Sequence, residues 1–147
     1  MSALTTDDIL AASAYLEAVW TENAEAKAAL LDRGPDETTM PVLVTDLGNH
    51  IIQGLMLQAV GIHDGMGEDE LEAATERLNT DPTVRVSKLL AETMSEIAPS
   101  ANEQQCETLA RSVISYVMSV SADVDQEDVL PLIAMLRDNA LRSAAEG

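Results

Sequence analysis

Between Thr39 and Gly61 the chain carries a helix-length segment that is apolar nearly all round, with Leu47, Ile51, Leu55 and Ala59 at helical spacing. Such a segment has almost no face to give to water, so other elements must pack on its sides. Thr39 is placed to cap it, Pro41 suits its first turn, and Gly61 stops it. Gly48 and Gly54 inside it each cost a helix about 1 kcal/mol relative to Ala, which predicts a neighbouring helix closely approached at both.

The rest of the sequence supplies helices for that role. No stretch alternates in the manner of a strand, whereas Ala, Leu, Glu and Met dominate several amphipathic windows. A first helix is expected from about Thr6, where Asp7 and Asp8 favour its N-terminal end, to a stop before Gly34-Pro35, either continuous or broken in two at Thr21 to Asn23. An acidic helix is expected from about Glu68 to Leu78, with Leu71, Ala74, Thr75 and Leu78 on one face. Asp81-Pro82 reads as cap and first turn of the next, which ends before Pro99. Ser100 and Glu103 have capping-box spacing ahead of the stripe Cys106, Leu109, Val113, Val117 and Val120. Pro131 opens a last helix that runs to about Ala144. The expectation is an all-α fold: one domain over residues 1–147, a compact bundle of five to six helices around the central apolar one.

With 26 Asp and Glu against 8 Lys and Arg, the formal net charge is −18, and the imbalance is spread along the chain. A field of that sign repels phosphate, so direct binding to nucleic acid or an anionic membrane is disfavoured, and cations and basic proteins are favoured. No apolar run approaches the roughly 18 residues of a membrane span. The N-terminus lacks a basic region followed by an apolar core, and a cytoplasmic location is the expectation. Cys106 is the sole cysteine, which excludes an internal disulfide and a multi-thiolate metal site.

Few residues carry catalytic promise. Asp46 and His50, four apart on the apolar helix, share a face and could share a proton or a metal, which is the basis for a small acid-base or metal-dependent enzyme as one alternative. Glu68, Asp69 and Glu70 are clustered acids without a defined pocket. No Gly-x-Ser-x-Gly elbow and no phosphate-binding Gly-rich loop occurs, and Cys106 sits in an apolar stripe distant in sequence from both histidines.

Sliding the chain on itself by 59 positions pairs Leu55 with Ile114, Asp64 with Asp123, Glu68 with Glu127, Asp69 with Asp128 and Leu71 with Leu130. Both copies read apolar helix, acidic turn, acidic helix start. Neither turn is an EF-hand: counting from Asp64 puts Asp69 sixth and Thr75 twelfth, and counting from Asp123 puts Asp128 and Ala134 there. His63-Asp64-Gly65 with Glu70, and Ala122-Asp123 with Asp125, Glu127 and Asp128, resemble the turn motifs of the TerB-like tellurite-resistance family over roughly residues 54–136. His63 and Val124 depart from the family pattern, as does the unmatched long first helix. The resemblance implies a small helical domain of the stress-response kind.

Three expectations follow. The leading one is a non-enzymatic protein-interaction domain that self-associates, a homodimer being the commonest form, because the second helix and the Cys106 stripe offer apolar surface in excess. A second is an acidic mimic of nucleic acid that inhibits a basic partner protein. The third is a looser oxygen site for a divalent cation such as Ca²⁺, formed by Asp64, Glu68, Asp123, Asp125 and Glu127 if the two turns approach each other.

Overall fold

Capping chemistry sets the helix boundaries in a computed structural model that describes residues 4–63, 65–120 and 126–146. The Thr5 hydroxyl accepts the Asp8 N–H at 3.1 Å while the Asp8 carboxylate accepts the Thr5 N–H at 3.2 Å, and this reciprocal pair starts α1 (Thr6–Trp20). Glu22 then takes a positive φ of 55°, which no helix accommodates. Asn23 restarts the chain by accepting the Ala26 N–H at 3.0 Å, giving α2 (Ala24–Leu31). The stretch before Gly34 is therefore two helices, and α2 lifts the number above the expected five to six.

Thr39 occupies the N-cap of α3 (Met40–Ala59), but its side chain makes no capping bond; Pro41 in the first turn starts this helix. Gly67 precedes α4 (Glu68–Thr80), which is tied back to the end of α3 by Arg77, donating to the Val60 carbonyl at 2.8 Å. Asp81 accepts the N–H groups of Thr83 at 2.8 Å and Val84 at 3.2 Å, and with Pro82 it opens α5 (Pro82–Ile97) as the sequence predicts. Ser100 does not cap the next helix, because it belongs to a 3₁₀ turn, Ala98–Ser100. The reciprocal box is made one step on by Asn102 and Gln105, at 2.8 and 2.9 Å, ahead of α6 (Glu103–Val120). A second 3₁₀ turn, Gln126–Asp128, leads into α7 (Val129–Glu146), which starts two residues before Pro131. A proline is tolerated there because the first N–H groups of a helix have no partner within it. The described residues hold seven α-helices and no strand.

The helices pack as a bundle, with α3 against α1, α5, α6 and α7, and α1 also against α2, α6 and α7. Leu43, Val44, Leu47, Ile51, Ile52 and Met56 of α3 are buried, each such side chain contributing about 1.5–3 kcal/mol by leaving water. The helix is not dry all round: Asp46, His50, Gln53 and Gln58 form a narrow exposed stripe. Cys106, Leu109, Val113 and Val117 of the α6 stripe are buried in the core, where the Tyr15 and Cys106 side chains are hydrogen-bonded to each other, whereas Val120 at its end is exposed. None of the helices is long and apolar enough to cross a membrane among the described residues.

The two interior glycines of α3 differ. A Cβ at Gly48 would stand 2.7 Å from Val113 Cγ2, so α3 and α6 touch there, whereas a Cβ at Gly54 meets nothing within 4 Å. The close approach predicted at Gly54 is absent because that side of the helix turn is exposed. Gly48→Ala is expected to destabilise the fold by about 1–3 kcal/mol through overpacking. Gly54→Ala is expected to stabilise it by about 0.5–1 kcal/mol by restricting the unfolded chain. Urea melts of the two variants check the opposite signs.

Candidate interaction surface

Helix α5 carries apolar residues on both faces. Its inner face buries Val84, Ser87 and Met94, with Leu90 and Ala91 half-buried. Its rotation is fixed by a polar tie: the Ser87 hydroxyl donates to the Thr83 carbonyl at 2.7 Å and lies 2.8 Å from the Tyr116 hydroxyl of α6. The same Tyr116 oxygen is 3.7 Å from Met56 Sδ of α3, so one buried phenol joins three helices. Burial pushes the Tyr116 pKa up while the bond to Ser87 draws it down, and the phenol is held neutral.

With that face inward, Val86 and Leu89 point out, 66% and 63% exposed. They are neighbours on the helix surface, three residues apart. On one side of Val86 a groove of ≈ 590 Å³ runs between α5 and α6, floored by Leu90 and Tyr116 and edged by Ser112, Ser115 and Ser119. On the other side a shallower groove of ≈ 480 Å³ is lined by Pro82, Arg85, Lys88, Leu89 and Glu92.

Arg85 and Lys88 stand out among the cations. Lys27 bonds Glu107, which Arg111 also meets at 3.5 Å, and these contacts hold the Glu107 carboxyl below its ordinary pKa, the Lys27 hydrogen bond foremost. Arg33 pairs with Glu37 at 3.3 Å and Asp8 at 3.9 Å, Arg77 holds Val60, Arg137 meets Asp138 at 3.3 Å and Glu17 at 3.9 Å, and Arg142 bonds Asn139. Among the described residues, Arg85 and Lys88 alone of the Lys and Arg side chains make neither hydrogen bond nor ion pair. Glu92 and Glu96, further along α5, make none either. Lys88 and Glu92 are four apart, in the less favourable order for a helix pair, and do not meet.

The chain matches no family model, no curated protein and no solved structure. The resemblance to the TerB-like family thus rests on its two turn motifs.

The residues expected to form a cation site fall as follows. Asp64, Asp123 and Asp125 lie outside the described residues. Glu68 is exposed at the start of α4, which packs against α5, and Glu127 is exposed in the turn before α7, which packs against α1 and α3. No three His, Cys, Asp or Glu side chains among the described residues come close enough together to hold a metal ion. Asp46 and His50 both reach the surface of α3, and no hydrogen bond or ion pair joins them. Burial first, and the Asp8 charge second, hold the Asp46 carboxyl above its ordinary pKa. The Cys106 thiol is pushed up by burial, the opposite of what a nucleophile needs. An apolar cavity among α1, α3, α6 and α7, lined by Leu16, Leu47, Val113 and Ile133, measures ≈ 20 Å³, about the room one water requires.

The α5 face carried no signal in helix periodicity alone, since that pattern shows one apolar face, and Val84, Leu90 and Met94 already supply it. The order of charges along α5, bases then acids, was the readable sign.

Two predictions follow from these placements. Ser87→Ala strands the buried Tyr116 hydroxyl without its oxygen partner and is expected to cost about 1–3 kcal/mol, whereas Ser87→Ala added to Tyr116→Phe costs less than the two singles summed. A double-mutant cycle by urea denaturation reads the coupling. For Asp46 the folded pKa lies above the unfolded one, so the favourable contribution of the protonated carboxyl is complete below the ordinary value of 3.8 and is lost as pH rises through the folded value. Asp46→Asn is therefore expected to raise the melting temperature at neutral pH, with the gain vanishing in acid.

Proposed function

We propose that this chain is a non-enzymatic helical interaction module, built around α3 as its central helix, that binds a protein partner through the exposed face of α5 and self-associates. The carrying observation is the pair Val86 and Leu89, two large apolar side chains left mostly in water on a helix whose other face is already packed. Large contiguous apolar patches rimmed by polar residues mark interaction sites, and Val86 and Leu89 sit side by side among polar and charged neighbours. The motive for self-association moves accordingly. The Cys106 stripe of α6, from which excess apolar surface was expected, is buried inside the bundle except for Val120, and the two most exposed large apolar side chains among the described residues are on α5.

Sedimentation velocity across a dilution series from submillimolar to low micromolar tests the reading. The expected result is a monomer–dimer equilibrium that shifts with concentration, and a single monomeric species throughout would remove self-association.

A further inference from the structure

Beyond the Asp81 cap, the charges along α5 run against its own dipole. Arg85 and Lys88 lie in its first two turns and Glu92 and Glu96 in its last two, whereas a helix is stabilised by acids at its N-terminus and bases at its C-terminus. The arrangement therefore does not serve the isolated helix. It does not serve the rest of the bundle either, because none of the four side chains has a partner among the described residues. All four are exposed; Arg85, Lys88 and Glu92 line one groove with the apolar pair Val86 and Leu89, and Glu96 lies one turn beyond Glu92.

Val86 lies between Arg85 and Lys88 and Leu89 directly after them, so a partner for this face must present acidic groups beside the apolar pair and basic groups further along. A uniformly acidic peptide would meet Arg85 and Lys88 favourably but would clash with Glu92 and Glu96, and a uniformly basic one would do the reverse. The helix α5 itself, turned end for end, carries the required pattern. We infer that a second copy of this chain packs its α5 antiparallel on this α5, so that Arg85 and Lys88 of each copy face Glu92 and Glu96 of the other and Val86 and Leu89 are covered between them. This inference rests on the self-association reading and gives it a surface and a symmetry.

The two-fold axis follows from the charges. A parallel pair would set bases against bases and acids against acids, while the antiparallel pair matches both charges and dipoles, and an isologous contact closes at two copies. Each copy carries a formal charge of −18, which opposes association. At physiological ionic strength, charges more than about 8 Å apart are largely screened, so remote acids contribute little while the facing ends of α5 remain in contact range.

Charge reversal tests the inference directly, with dimerisation measured by sedimentation at physiological salt. Arg85→Glu with Lys88→Glu makes the face wholly acidic, and Glu92→Lys with Glu96→Lys makes it wholly basic. Each variant alone is expected to dimerise at least about tenfold more weakly than the parent chain. Mixed in equal amounts, the two are expected to form a heterodimer, because each basic end then faces an acidic one. Thermal melts establish that each variant folds, and Leu89→Ser, a milder change at an exposed position, gives an independent arm with the same expected weakening. A parent chain that dimerises while both charge-reversed variants dimerise equally well overturns the α5 contact and leaves self-association standing. Variants that weaken dimerisation but fail to combine when mixed overturn the antiparallel arrangement. A parent chain that is monomeric at every concentration overturns this inference and the reading beneath it together.

Discussion

The contact of α3 with α6 at Gly48 sets the spacing on which the other helices depend. Because position 48 has no side chain, Val113 can lie directly on the α3 backbone, and the two helices approach more closely than two ordinary side chains would permit. That proximity brings Tyr116, one turn further along α6, to within 3.7 Å of Met56 on α3 and leaves its hydroxyl facing Ser87. Helix α5 is thereby oriented by a polar bond to α6 at the floor of the groove between them. Hydrophobic burial is non-directional and would accept several rotations of α5. The Ser87 to Tyr116 bond selects one, since a buried hydroxyl left without a partner costs more than the bond itself contributes.

Scarce cations connect elements distant in sequence. Lys27 links α2 to α6, Arg77 links α4 to the end of α3, Arg137 links α7 to α1, and Arg33 reaches back to Asp8 while its Nε donates to the Thr38 carbonyl at 2.6 Å. Each exposed ion pair is worth only about 0–1 kcal/mol. In a chain with more than three acids for every base, their placement nevertheless decides where like charges are relieved. Arg85 and Lys88 depart from this pattern, since neither forms an ion pair among the described residues.

The all-α class was legible because helical spacing of apolar residues recurs over long windows, and the Asp81-Pro82 start was legible because cap and proline sit together. The misreadings share a physical origin. Ser100 with Glu103 and Asn102 with Gln105 both satisfy the capping pattern, and the sequence does not reveal that Ala98–Ser100 is already wound in a 3₁₀ turn. Gly48 and Gly54 look alike in the chain, yet only the former faces a neighbour, because six residues along a helix turn the backbone well away from the original direction. The candidate surface was the least legible part. Val86 and Leu89 are ordinary helix residues until the packing shows that a different set of α5 side chains has been taken inward.

That two-faced character follows from position as much as from composition. Helix α3 packs against α1, α5, α6 and α7 and buries apolar residues on more than one side. Helix α5 packs against α3 on one side and is flanked by the short, acidic α4, of which Ala74 alone is fully buried. The acids of α4 project into solvent, so it covers little of its neighbour and leaves Val86, Leu89 and, at 40% exposure, Ile97 facing water. The strongly acidic composition of α4 keeps it solvated, and the outward face of α5 stays exposed to solvent.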